Sequence, residues 1–242
     1  MRFRGGGYKI SPCSNAGTLE DTLLPATNFN KELKSTPTIE NHVLHFKTFL
    51  EKQVGLSEHE WEVVKEYWQQ ETFHKNEFFV SQGKICRKLA FIAEGVVRFC
   101  MFRDDGTDVT CFLMCENDFA GDPESFFSQK PSDKNVQALT DCQLMTISYD
   151  NMQKLLHQLR RGNEINAAID HYVMMKMLFQ RTFLLNLDAT VRYNEFIREY
   201  AHILQRIPLS YIASFLGITQ QSLSRLRKQM PVILKKEIKK LR

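Results

Sequence analysis

Residues 206–228 read RIPLSYIASFLGITQQSLSRLRK. Leu209, Ile212, Ala213 and Leu216 recur at i, i+3, i+4 and i+7, the spacing of one helix face. Gly217 stands where that helix should stop, because a residue without Cβ enters the left-handed conformation at little cost. Ile218 then plugs the corner, and Thr219 is placed to cap a second helix. On that helix Leu223 and Leu226 turn inward, while Gln220, Gln221, Ser224, Arg225 and Lys228 face outward.

This is the pattern of a helix-turn-helix. Ala213 is small where the two helices must cross closely. The second helix offers amides, a hydroxyl and a guanidinium to a major groove. Glutamine can bond adenine twice and arginine can do the same to guanine, which is how base edges are read. An ordinary helical hairpin with a polar outer face would share the apolar spacing. It would not need the small residue, the turn glycine, the capping threonine and an outward face without acids. Charge points the same way. From Arg206 to Arg242 there are nine Lys and Arg and one acid, Glu237, so nine minus one gives +8 in a chain of net charge +4. The remainder carries 4 − 8 = −4. Such asymmetry suits a phosphate-binding C-terminal module on a mildly acidic body. A solvated basic tail is the alternative for Lys235 to Arg242 taken alone.

The whole chain of 242 residues can hold one large or two small domains, and 43% apolar residues suffice for real cores. No run approaches the ~20 apolar residues that span a bilayer, so no membrane partner is expected. The N-terminus lacks the apolar stretch of a secretory signal. A cytoplasmic location is the expectation. Cys13, Cys86, Cys100, Cys111, Cys115 and Cys142 are scattered without a C-x-x-C pair, and the seven histidines form no H-x-H or H-E-x-x-H group. Buried reduced thiols are the reading preferred over ligands. Neither a metal site nor a cofactor is expected.

Residues 1–40 are rich in Gly, Ser, Thr, Asn and Pro and are expected to be a disordered extension. A sensor domain is expected over 41–160. It opens with a helix from Asn41 carrying Val43, Leu44, Phe46, Phe49 and Leu50. Ser57 and Glu60 form a capping box before a helix striped by Trp61, Val64 and Trp68. From Phe73 the period shortens to strands near Glu77–Val80, Leu89–Ala93, Val96–Phe102, Asp108–Met114, Val136–Leu139 and Gln143–Ile147, with a hairpin turn at Asp105-Gly106. Six short strands punctuated by glycine suggest a jelly roll or barrel. Ser148 should cap a short helix to Leu159.

A long helix follows within 161–187. One stripe on it is Ile165, Ala168, Tyr172, Met175 and Phe179; a second is Ile169, Val173, Met177 and Leu184. A helix apolar on two faces needs two covers. The roll is one, and the same helix of a second subunit is the other, so the first stripe is assigned to a homodimer contact. Burial within one domain is the competing account. Residues 188–242 form the DNA-binding unit. There a helix over Arg192–Leu204 supplies Phe196, Ile197, Tyr200 and Ile203 as the floor; Pro231 ends the recognition helix or the one after it, and the tail beyond is short and helix-prone, so any wing is short or absent.

The order helix pair, β-roll, long helix and helix-turn-helix resembles the CRP/FNR family of bacterial transcription regulators, over about residues 41–230. The segment from Tyr211, YIASFLGITQQSLSRLRK, resembles the recognition segment of Bacteroidetes-type members. LAFIAEGVVRF from Leu89 resembles the core strands of the roll, and FAGDP from Phe119 resembles the start of its phosphate-binding cassette. The resemblance implies an α+β protein: a jelly-roll, cyclic-nucleotide-binding-like domain, a dimerisation helix and a winged-helix-like helix-turn-helix. It implies a homodimer on two-fold symmetric double-stranded DNA, with RNA polymerase a further partner of such regulators and a small-molecule effector not named by the sequence. Gln220, Gln221 and Arg225 match base-contacting positions, with Thr219, Ser224 and Lys228 as phosphate neighbours.

The cassette departs from the family pattern. Cyclic-nucleotide binders follow the glycine with a Glu for the ribose and later carry an Arg for the cyclic phosphate. Here Gly121 is followed by Asp122, and no Arg occurs between Arg103 and Arg160. Lys134 offers charge but no bidentate fork. The effector pocket of Gly121, Asp122 and Lys134 is therefore expected not to hold cyclic AMP. Two other functions compete. One is an interaction module whose helix-turn-helix no longer reads DNA specifically. The other is a cupin-type enzyme, disfavoured because Glu77–Ile147 contains no histidine.

Overall fold

Local signals set the first elements of the computed structural model, which describes residues 39–185 and 188–229. The expected extension up to residue 38, the expected break at Pro231 and any wing lie outside the described residues. Helix α1 (Ile39–Val54) begins two residues earlier than expected. Ser57 then closes the anticipated capping box. Its hydroxyl accepts from the Glu60 amide at 3.3 Å, and its own amide donates to the Glu60 carboxylate at 2.9 Å. Helix α2 (Glu58–Tyr67) follows, with Trp61 and Val64 buried. Phe46 of α1 meets the Trp68 ring at 4.4 Å and the Phe91 ring at 5.0 Å between centroids. The tryptophans are packing residues.

The roll is two four-stranded antiparallel sheets. One runs β1 (Gln69–Phe73), β8 (Cys142–Ser148), β3 (Lys88–Glu94), β6 (Phe119–Ala120). The other runs β2 (Phe78–Val80), β7 (Asn135–Ala138), β4 (Val97–Phe102), β5 (Asp108–Met114). The six expected strands are present. Strand β1 was not anticipated: its sequence, QQETF, is polar, and it forms by pairing Gln69–Phe73 with Thr146–Cys142. Strand β6 is too short to leave a period. Helix α3 (Pro123–Ser128), one turn and a half inside the cassette, was also missed.

Helix α4 (Tyr149–Gln158) is capped as expected, the Asn151 amide donating to Ser148 Oγ at 3.2 Å. Helix α5 (Gly162–Leu185) is the long one. Its packing corrects the assignment of faces. Ile165 is buried against the roll, and Tyr172 packs on Phe49 and Phe119 while donating to a carboxylate oxygen of Asp118 at 3.2 Å. Ala168 and Met175 are half-buried, and of the stripe assigned to a subunit contact Phe179 alone is exposed. The open apolar side is instead Ala167, Met174, Leu178 and Leu185, with Phe179 at its margin. Both expected stripes turn inward, since Ile169, Val173 and Met177 also pack on the core of the roll, and the open face lies between them on the far side of the helix.

Gln180, 1% exposed, ties α5 to the roll and to the next helix of the chain. Its amide nitrogen donates to the Leu113 carbonyl and the Tyr200 hydroxyl, both at 2.8 Å. That next helix, α6 (Ala189–Tyr200), starts at a cap the sequence pattern did not reveal: Asp188 accepts from the Thr190 and Val191 amides at 2.7 and 3.0 Å. A 3-10 turn (Ala201–Ile203) leads to α7 (Leu209–Phe215) and α8 (Gln220–Gln229). Phe196, Ile197, Tyr200 and Ile203 form the floor beneath them. The same core takes in Val96, Leu113, Cys115 and Leu139 of the roll, so the helices at the end of the chain are not a separate ball. Among the described residues no helix is long and apolar enough to cross a membrane.

Candidate nucleic-acid interface and effector pocket

The turn between α7 and α8 is built as its residues dictate. Gly217 has φ +66°, and the Ile218 amide reaches back to the Ala213 carbonyl at 3.0 Å, which satisfies a carbonyl at the end of α7. Thr219 caps α8, its hydroxyl accepting from the Ser222 amide at 3.1 Å. Ala213, Leu216 and Leu223 are buried at the crossing, and Leu226 is half-buried. The Arg192 guanidinium donates to the Leu216 carbonyl at 3.0 Å and so ties α6 to the end of α7.

This leaves one face of α8 open. Thr219, Gln220, Gln221, Ser224, Arg225 and Lys228 are all exposed, and the helix, QQSLSRLRKQ, contains no acid. The side chains of Gln220, Gln221, Ser224 and Arg225 make no hydrogen bond or ion pair with other described residues. Their donors and acceptors are available to a partner. The basic tail beyond residue 229 lies outside the described residues.

Helix α7 is docked on the edge strand β5. The Thr110 amide donates to Ser214 Oγ at 2.9 Å, and that hydroxyl donates to the Asp108 carbonyl at 3.4 Å. Behind it Arg98, 2% exposed, grips Asp108 with two bonds of 2.7 Å and lies 3.9 Å from the centroid of the Tyr211 ring. A buried charge needs such partners. Nothing in the local sequence VVRF marks Arg98 as the anchor; its partners come from β5, β7 and α7.

The residues expected at an effector pocket are turned inward. Gly121 has φ +129°, and a Cβ there would stand 2.7 Å from Leu89 Cδ2, so the residue is glycine by necessity. Asp122 precedes α3 but does not cap it. Its buried carboxylate accepts from Ser132 Oγ at 2.6 Å and pairs with Lys134 Nζ at 3.7 Å. Lys134 also pairs with Asp133 at 2.7 Å. Burial alone would lower the Lys134 pKa; Asp133 and Asp122 outweigh it and hold the ammonium charged. The structure thus brings the three expected residues together, but the cation expected for a phosphate is shared between Asp133 and Asp122.

The sequence pattern predicts no metal ligands. The structure nevertheless gathers Cys115, Glu116 and His202, with Cys115 Sγ 3.4 Å from His202 Nε2 across 87 positions of sequence. Spacing motifs register neighbours in sequence, and these residues meet only through the fold. Cys86, Cys100, Cys115 and Cys142 are buried free thiols, and Cys111 is a half-buried one.

Residues 70–159 match the family of the cyclic nucleotide-binding domain. No curated protein matches the chain by sequence. Among solved structures it is similar to the c-di-GMP-responsive global regulator CLP of Xanthomonas campestris, with 17% identity, 72% of this chain and 91% of that one covered, and a TM-score of 0.58. It is similar to FixK2 of Bradyrhizobium japonicum, with 15% identity, coverage of 67% and 83%, and a TM-score of 0.59. It is also similar to a CRP-family transcriptional regulator of Thermus thermophilus, with 17% identity, coverage of 65% and 82%, and a TM-score of 0.53. At these identities the likeness is one of fold. The chain shares the fold of these three proteins, and its residues 70–159 match the cyclic nucleotide-binding domain.

Proposed function

We propose that the chain is a sequence-specific DNA-binding transcription regulator of the CRP/FNR type, acting in the cytoplasm as a homodimer on a two-fold symmetric site. The observation that carries this is the outward face of α8. Gln220, Gln221 and Arg225 present base-reading groups, Thr219, Ser224 and Lys228 flank them for phosphates, and no acid interrupts the surface. The cap at Thr219 and the packing of Leu223 hold the helix rigidly enough to read a sequence.

Dimerisation is drawn from α5. Met174, Leu178 and Leu185, 58%, 55% and 78% exposed, make an apolar stripe with helical spacing, which a second copy of the helix would cover. Cyclic AMP is not the effector. A ribose hydroxyl would have to take Asp122 from Ser132 and Lys134, and no arginine stands by for the cyclic phosphate.

Selection from random duplex DNA with the purified chain tests the reading. An enriched inverted repeat is the expected result. Binding of equal strength to every sequence, with a steep salt dependence, would point to a helix-turn-helix that no longer reads bases. Calorimetry with cyclic AMP should give no binding heat; micromolar affinity would contradict the pocket assignment.

A further inference from the structure

The junction of the roll, the long helix and the DNA-binding unit holds a cluster that none of this uses. Cys115 and Glu116 lie in the turn between β5 and β6, and His202 lies in the 3-10 turn after α6. One ligand atom of each stands within 4.8 Å of the others. Thiolate at ~2.3 Å and imidazole at ~2.05 Å on a tetrahedral ion are about 3.6 Å apart. The observed Sγ–Nε2 separation is 3.4 Å. Glu116 is already held for such work. The Gly95 amide and the Arg206 guanidinium both donate to its Oε1, at 2.8 and 2.6 Å, leaving Oε2 open. Outer bonds of this kind orient a ligating carboxylate.

A second observation lies on α1. His42 is buried, and neither of its ring nitrogens has a hydrogen-bond partner; its Nε2 is 3.5 Å from the Glu94 carboxylate. His45, one turn further on, is near enough to Glu116 to feel its charge. Helix α1 thus carries two imidazoles on this side of the molecule, His42 beside Glu94 and His45 within the field of Glu116.

We propose that Cys115 Sγ, His202 Nε2 and a carboxylate oxygen of Glu116 form a binding site for a divalent transition-metal ion of the zinc, cobalt or nickel class. Sulfur and imidazole exclude magnesium and calcium, which take oxygen ligands. Binding forms the metal–sulfur bond as the thiol proton leaves to solvent, so affinity rises with pH. Two ligands belong to the roll and one to the segment that leads into α7. An occupied site ties that segment to the β5–β6 turn. That consequence for DNA binding rests on the function proposed above; the site itself does not.

The test is a Co2+ titration of the full reduced chain after treatment with a chelator. The expected result is one ion per chain, a near-ultraviolet thiolate-to-cobalt band, visible bands of four-coordinate Co2+, and loss of both on adding Zn2+. Cys115→Ser should abolish the thiolate band, and His202→Gln should weaken affinity about tenfold or more. Cys111→Ser should change nothing. Circular dichroism checks the folding of each variant, and Glu116→Gln decides if Cys115→Ser does not fold. Absence of the band in the wild-type chain, or its survival in both Cys115→Ser and His202→Gln, overturns the proposal. The readout needs no DNA, so failure here is distinct from failure of the regulator assignment.

Discussion

The outer face of α8 and the pocket at Gly121–Asp122 are both rich in polar groups, and they use them in opposite ways. On α8 the side chains of Gln220, Gln221, Ser224 and Arg225 stand in solvent with no partner among the described residues. In the pocket Asp122, Ser132 and Lys134 are one another's partners, Asp122 and Ser132 fully buried. A polar group bonded inside the protein has already recovered the cost of leaving water, and a ligand must break that bond to make its own. An exposed group without a partner exchanges only water. The presence of the expected residue types in a pocket is thus no measure of its readiness to bind; their pairing is.

The largest effect that tests this contrast is on stability. Asp122→Ala removes the acceptor of Ser132 and the buried partner of Lys134. Removing a buried hydrogen-bonding partner costs about 1–3 kcal/mol, and about 2 is expected here, because Lys134 keeps Asp133 at 2.7 Å. Denaturant unfolding should show that loss, while the DNA preference of the folded fraction stays the same. A variant of unchanged stability would mean that the pocket is not held by this pair and is open after all.

Arg225→Ala should do the reverse. Its side chain is exposed and touches no described partner, so stability should move by less than about 0.5 kcal/mol. Binding to the selected DNA site should weaken by about 1–3 kcal/mol, with specificity relaxed at one base pair. Competition against single-base operator variants reads this directly. Uniform weakening across all variants would demote Arg225 to a phosphate contact.

How much of the molecule is legible in its sequence depends on the range of each interaction. The turn at Gly217, the cap at Thr219 and the box at Ser57–Glu60 are made by residues within a few positions of each other, and they were legible. Strand β1 was not, because QQETF owes its conformation to β8, some seventy positions on. The open face of α5 was not, because both expected stripes find cover on the roll's core, Tyr172 on Phe49 and Phe119 with Ile169, Val173 and Met177 beside it. For the pocket, composition revealed that an arginine is absent, but not that Lys134 had turned to Asp122. The meeting of Cys115, Glu116 and His202 left no trace in sequence spacing.

Ser214 fastens the helix pair that carries α8 to the roll, and its removal is the smallest effect expected. Its hydroxyl accepts from the Thr110 amide and donates to the Asp108 carbonyl, so one side chain fastens α7 to the open edge of the roll. Ser214→Ala leaves the buried Thr110 amide without its acceptor while the Arg98–Tyr211 contact remains. A net loss of about 1 kcal/mol is expected in thermal or denaturant unfolding, with faster hydrogen exchange at the Thr110 amide. Base preference should not change, because the groups proposed to read bases lie on α8, on the far side of the crossing at Ala213 and Leu223. A changed operator sequence would show that α7 does more than support, and that the open face and the closed roll are coupled through this one hydroxyl.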